Sequence, residues 1–182
     1  MFKGYKFDEE EFKKLAEWLF LNNSQIKNSF NIEEGIYRSI IGRYYYYIFL
    51  KIRNIILSYD DDNVNSFNKG DAHRLITLYL KALDEILELN GDLEDIADSL
   101  SQLRDLRNKA DYETYKKITW NDVLRAKGWV EDIELSLQNI KFRDIKGFEN
   151  ILEHIKVNCK ISNTIRFPKL KKDINKNRYY FE

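Results

Sequence analysis

Apolar residues recur every three to four positions through most of this chain, the spacing that gathers side chains onto one stripe of an α-helix. The clearest run is Ile36, Ile40, Tyr44, Ile48, Ile52 and Ile56, with Tyr37, Ile41, Tyr45 and Phe49 beside them. It predicts a helix over about residues 33–59, the longest and most apolar of the chain, with a stripe broad enough for the centre of a bundle. An earlier helix, over about residues 8–22, places Phe12, Leu15, Trp18 and Leu19 on one face, with Asp8 as N-cap and Glu11 three residues on. After an acidic loop at residues 60–63, Asp71 is placed to cap a third helix carrying Leu75, Ile76, Leu78, Tyr79, Leu83, Ile86 and Leu87. The turn signal Asn90-Gly91-Asp92 separates it from a fourth with Leu93, Ile96, Leu100, Leu103 and Leu106. Thr119, with Asp122 three residues later, has the form of a capping box and opens a fifth, buried through Val123, Ala126, Val130, Ile133 and Leu137.

Beyond Gly147 the rhythm changes. Ile155, Val157, Cys159 and Ile161 alternate with polar residues, a period of two that predicts a half-buried strand. Ser162-Asn163 can turn it toward residues 164–167 to close a small hairpin. The only proline, Pro168, lies near the C-terminal end, so the strongest helix breaker is missing from everything before it. No repeat and no Gly/Ser linker divides the chain. The expected fold is all-α: a helical bundle over residues 8–142, followed by a basic extension over residues 143–182 with a small strand or hairpin.

Composition narrows the function classes. The chain has 182 residues, 43 % hydrophobic and 33 % charged, enough to bury a core. The apolar run at residues 44–50 is closed by Arg43 and Lys51, far short of the roughly 20 residues that span a bilayer. Acidic residues stand near the N-terminus, where a signal peptide needs apolar ones, so the expectation is a cytoplasmic protein with no membrane association. One cysteine, Cys159, excludes an internal disulfide and a cysteine-rich zinc site. No phosphate-binding glycine loop and no zinc-protease motif is present, and nothing implies a metal or a cofactor. Thirty basic and thirty acidic residues cancel, so any attraction to nucleic acid is local. Residues 156–182 carry eight basic side chains against two acidic ones, leaving the rest of the chain with a net negative charge.

Two segments depart from a plain bundle. In residues 35–49, Arg43 enters a strongly apolar helix beside four consecutive tyrosines, Tyr44 to Tyr47; at about 100° per residue these point all round the helix and cannot share one environment. In residues 103–113 the apolar spacing ends in Arg104, Arg107, Asn108, Lys109, Asp111 and Tyr112, a polar cluster at a helix end. Arg107 and Asp111 are four apart and can pair along the helix, and the same guanidinium has the fork geometry that suits a phosphate.

Together these motifs carry a resemblance. Arg43-x-Tyr45-Tyr46-x-x-Phe49, then Asp71-Ala72-His73, then Leu106-Arg107-Asn108-Lys109-Ala110-Asp111-Tyr112 resemble, in order and spacing, the small bacterial and archaeal HEPN-like proteins with R-x-Y-Y and R-x-x-A-D-Y elements. The resemblance covers roughly residues 15–140. It implies a four-to-five-helix up-and-down bundle that forms a homodimer around a shared cleft. It further implies an RNA-acting component of a toxin–antitoxin or phage-defence module, CRISPR-associated systems included, of which many are metal-independent ribonucleases. Arg107, Asp111, Tyr112 and His73 are then the candidate catalytic residues, and Arg43, Arg104, Asn108 and Lys109 the candidate RNA- or phosphate-binding ones. In HEPN nucleases four to six residues separate an arginine from a catalytic histidine. Here the corresponding positions hold Tyr112 and Glu113 after Arg107, and Lys109 and Ala110 after Arg104. A missing general acid or base costs about 10²–10⁴-fold in rate. The alternative expectation is therefore a non-catalytic binding or scaffold subunit that docks a nucleotidyltransferase or a larger effector.

Overall fold

The computed structural model describes residues 7–59, 71–162, 170–173 and 178–181. Six α-helices appear among them: α1 (Glu10–Phe30), α2 (Glu34–Tyr59), α3 (Ala72–Leu87), α4 (Asp92–Tyr112), α5 (Trp120–Asn139) and α6 (Phe148–Ser162). Strand structure is limited to two antiparallel pairs. β1 (Lys141–Phe142) pairs with β2 (Ile145–Lys146), and β3 (Leu170–Asp173) with β4 (Arg178–Phe181) in the register Leu170↔Phe181 to Asp173↔Arg178. The chain is all-α with a small C-terminal β appendage, as the apolar periodicity predicts. No described helix is long and apolar enough to cross a membrane.

The chain divides into two compact units, Met1–Ile52 with Ser99–Ile133 and Arg53–Asp98 with Glu134–Glu182. In the first, the isoleucine stripe of α2 is buried at Ile36, Ile40, Ile48 and Ile52, together with Leu100, Leu103 and Leu106 of α4 and Val123, Ala126, Val130 and Ile133 of α5. In the second, Leu75, Ile76, Tyr79, Leu80 and Leu83 of α3 are buried with Leu93 and Ile96 of α4 and with Phe148, Ile151, Leu152 and Ile155 of α6. Burying a large aliphatic side chain contributes about 1.5–3 kcal/mol against leaving it in water, so these stripes hold each unit together.

Several boundaries differ from expectation for physical reasons. The first helix runs on past Asn22 to Phe30, because Asn22 and Asn23 do not break it: their amides donate to the Trp18 and Phe20 carbonyls at 2.8 and 2.6 Å. It ends where Asn31 turns left-handed, φ 54°, and its N–H bonds the Lys27 carbonyl. At the other end Asp8 Oδ1 accepts the Glu10 amide at 3.0 Å. Asp71 stands at the N-cap of α3, but its carboxylate makes no capping hydrogen bond. The strand expected at residues 155–161 is helix α6: Phe148, Ile151, Leu152 and Ile155 are spaced by three and four, and this upstream pattern outweighs the shorter alternation. The loop at residues 60–63 and the segment 164–167 lie outside the described residues.

Two carboxylates organise turns. Asp84, 8 % exposed on α3, accepts the Gly91 amide at 2.9 Å through Oδ2 and the Leu93 amide at 2.7 Å through Oδ1. This braces a connection in which Glu88, Asn90 and Gly91 all have positive φ. Asp122 closes the expected capping box: Thr119 donates its amide (2.8 Å) and hydroxyl (2.9 Å) to Oδ2, and Thr119 Oγ1 accepts the Asp122 amide at 3.4 Å. Burial works to raise the Asp122 pKa, but the Thr119 and Arg125 hydrogen bonds and the charge of Lys109 outweigh it and hold the carboxyl below the usual aspartate range. We expect Asp122→Ala to lower stability by about 1–2 kcal/mol in urea unfolding, the usual cost of a lost cap. With the folded pKa depressed, that stabilisation is complete above the ordinary aspartate value of about 3.9 and is lost as pH falls through the folded value, so wild type and variant should converge in strong acid.

Candidate functional site

The four tyrosines of α2 separate as the helical rotation requires. Tyr44, fully buried, donates its hydroxyl to Glu17 Oε1 at 2.7 Å, where Lys127 Nζ also donates at 3.0 Å. Tyr47, also buried, donates to Glu10 Oε1 at 3.1 Å and accepts from Lys51 at 2.7 Å. Tyr45 and Tyr46 turn toward α4. Burial pushes the Tyr45 phenol far above its usual range, against the pull of the Arg104 and Arg107 charges.

Arg107 is the centre of the site. Its side chain is only 12 % exposed. Nη2 donates to the Tyr46 hydroxyl at 2.6 Å and Nη1 to Asn108 Oδ1 at 3.2 Å. Nε lies 2.6 Å from Asp111 Oδ2, an ion pair rather than an aligned hydrogen bond. The guanidinium carbon sits 5.0 Å from the ring centres of Tyr46 and Tyr112 and 5.9 Å from that of Tyr45, a cage of three π-faces. Burial alone would weaken its charge, but Asp111, Tyr46 and Tyr112 more than offset this and raise its pKa. The i,i+4 pair foreseen between Arg107 and Asp111 therefore forms, and it is one part of a larger enclosure.

Two further arginines flank the cage. Arg43 lies over the Phe12 ring at 5.1 Å, and Phe12 in turn meets Tyr46 at 5.9 Å. Arg104 lies near the Tyr45 phenol, whose pKa it lowers. Both are half-buried, and neither is seen in an ion pair among the described residues. Lys109 is engaged elsewhere, 3.7 Å from Asp122 Oδ1. The structure thus gathers Arg43, Arg104, Arg107, Asn108, Asp111 and Tyr112 in the first unit, whereas His73, the second residue of α3, belongs to the second unit. His154 belongs there too, its ring 6.4 Å from that of Phe142.

One residue that shapes the site is not apparent from the motifs. Arg38 reaches from α2 to the carbonyl end of α4, where Nη1 donates to the Ala110 carbonyl, and Nη2 donates to the Lys116 carbonyl at 2.7 Å. Glu34 Oε1 accepts from Arg38 Nε and Nη2 at 3.0 and 2.6 Å and from the Ile118 amide at 3.0 Å. The Arg38 hydrogen bonds hold the Glu34 carboxyl below the usual glutamate range. The i,i+4 spacing of Glu34 and Arg38 suggests their pairing, but not the reach to a loop more than seventy positions away. No described group of three or more His, Cys, Asp or Glu side chains is arranged to hold a metal ion. A hollow of about 410 Å³ in the second unit is lined by Lys81, Asp84 and Glu94 among others, and Lys81 there is paired with Glu94 at 3.2 Å and Asp98 at 2.7 Å.

Gly42 marks where α2 passes the site: a Cβ built there would lie 3.8 Å from Asp111 Oδ1, ordinary van der Waals contact. We expect Gly42→Ala to fold and to gain up to about 1 kcal/mol from helix propensity in urea unfolding. Asp111→Ala, which leaves a mostly buried guanidinium without its carboxylate, should cost about 1–3 kcal/mol in the same measurement.

Comparison with known proteins places the chain among archaeal relatives. It is 35 % identical over 163 residues to the uncharacterized protein MJ0992 of Methanocaldococcus jannaschii, an alignment covering 82 % of this chain and 89 % of that protein. It is 28 % identical over 173 residues to the uncharacterized protein MJ0628 of the same organism, covering 90 % of this chain and 98 % of that one. No family profile and no solved structure matches. At this identity and coverage, the chain belongs to the same protein family as MJ0992.

Proposed function

We propose that this protein is a HEPN-like, RNA-acting component of a toxin–antitoxin or phage-defence module, working in the cytoplasm as a homodimer, and that the Arg107 cluster is its phosphate-binding site. The observation that carries this reading is the pairing of one immobilised arginine with two uncommitted ones. Arg107 is fixed by Tyr46, Asn108 and Asp111, while Arg43 and Arg104 beside it show no carboxylate partner among the described residues. A guanidinium held on an aromatic face, as Arg43 is on Phe12, and left without a counter-charge is suited to a phosphodiester, which it engages by forked hydrogen bonds. The motif order along the chain supports the same reading.

Binding is favoured over cleavage. Transfer of a ribose 2′-hydroxyl proton near neutral pH calls for a group that titrates there, and the positions five and six after Arg107 hold Tyr112 and Glu113 in place of a histidine. A phenol has a reference pKa of about 10, and burial moves Tyr45 still further from neutrality.

A second reading, a subunit that docks a nucleotidyltransferase or a larger effector, draws on a different surface. α1 leaves Leu15, Trp18 and Leu21 exposed, at 42, 55 and 76 %. Apolar groups concentrated on one helix are a common feature of partner-binding faces.

Labelled tRNA and an unstructured RNA titrated with purified protein in EDTA separate the readings. Wild type should bind with an affinity that falls steeply with salt, and Arg43→Gln and Arg104→Gln should each reduce the salt slope by roughly one. Failure of wild type to bind either RNA at moderate salt would overturn the RNA reading in favour of the docking subunit. Cleavage by wild type but not by Arg107→Ala would replace binding with a nuclease.

A further inference from the structure

The connection from α4 to α5 presents two aromatic rings to solvent on an unusually well-held backbone. Tyr112 is 68 % exposed and Tyr115 is 81 % exposed. The loop that carries them is fixed at several points: the Lys116 amide donates to the Glu113 carbonyl at 2.9 Å, the Lys116 carbonyl accepts from Arg38, the Ile118 amide donates to Glu34, and Ile118 itself is 1 % exposed. Thr119 then closes the α5 capping box. Ile118 thus anchors the loop in the core while Tyr115, three positions earlier, takes no part in it.

The Tyr115 ring is not explained by the fold, since it lies outside the buried core, and the Tyr112 ring stays mostly exposed although it also adjoins the Arg107 guanidinium. Their chemistry points to a flat apolar ligand with a negative charge near it. Tyr112 lies 5.0 Å from the Arg107 guanidinium, so the first ring adjoins the phosphate-binding cluster directly. Lys116 stands 5.9 Å from the centre of the Tyr115 ring with its ammonium paired to Glu113, and the exposed Lys117 follows it. Aromatic faces alternating with cations are how proteins hold unpaired nucleic acid, because every base offers a π-face and every linkage a charge. A fixed loop loses little further entropy on binding.

We infer that Tyr112 and Tyr115, held by the Arg38–Glu34 clamp, form a ledge on which an unpaired base of single-stranded RNA stacks while its phosphate lies on the arginine cluster. This rests on the phosphate-binding reading of Arg107 and adds its substrate form: an unpaired strand, not a duplex, whose bases are already stacked inside the helix.

The test is fluorescence anisotropy with the full chain and two probes, a labelled twelve-nucleotide single-stranded RNA and the corresponding blunt duplex. Wild type should prefer the single strand. Tyr115→Leu, at a position too exposed to disturb the core, should weaken single-strand binding by roughly 5-fold or more with little effect on the duplex, and Tyr115→Trp should retain it. Tyr112→Leu should weaken single-strand binding at least as much and, because that ring also encloses Arg107, should lower duplex binding too. If both leucine variants bind the single strand like wild type while Arg43→Gln and Arg104→Gln lose affinity, the ledge is overturned and the phosphate site stands. If wild type prefers the duplex, the ledge is likewise overturned. If wild type binds neither probe, the phosphate-binding reading fails first and the ledge falls with it.

Discussion

A guanidinium withdrawn from water must be surrounded by acceptors and polarisable surface or the fold that contains it will not form. Arg107 meets that demand with Asp111 on one edge, the Tyr46 hydroxyl and the Asn108 amide oxygen on others, and three tyrosine rings. The same demand fixes its neighbours. Asp111 must sit on the last turn of α4, α2 must pass close enough for Gly42 to face that carboxylate, and Tyr46 must be rotated away from Tyr44 and Tyr47. Charge, packing and helix phase around the site therefore answer to one side chain, and pairing is what makes a mostly buried charge tolerable.

The end of α4 is the second element on which the site depends. The last carbonyls of a helix have no partner within it, and most helices leave them to water or to a glycine turn. Here Arg38 supplies donors from another helix and anchors the following loop with the same group. Glu34 completes the arrangement by accepting from both the arginine and the loop. The turn that carries Asp111 and Tyr112 is in this way held from outside.

What could be read from the sequence was whatever depends on local spacing. The α2 stripe, the Thr119–Asp122 box and the Arg107–Asp111 pair all join residues within one or two turns, and periodicity exposes such relations directly. Where two local signals compete, spacing alone misleads: Ile155 to Ile161 alternate like a strand, but Phe148, Ile151 and Leu152 ahead of them carry the helix forward. The first helix extends beyond its apolar pattern to Phe30, helped by bonds from the Asn22 and Asn23 amides back to Trp18 and Phe20 that the spacing of apolar positions does not display. The clustering of Arg43 and Arg104 beside the cage, the reach of Arg38, and the assignment of His73 to a different unit from Arg107 depend on tertiary packing, which no window of residues contains.

The consecutive tyrosines of α2 have one more consequence. Each of the four hydroxyls or rings is matched to a different chemical setting: Glu17 and Lys127 for Tyr44, the two arginines for Tyr45, the Arg107 donor for Tyr46, Glu10 and Lys51 for Tyr47. A slip of a single residue turns the helix by about 100° and presents every one of them to the wrong setting at once. Four similar side chains in a row, which look interchangeable in the sequence, thus act as a key that admits α2 at one rotational setting and penalises its mis-seated alternatives during folding.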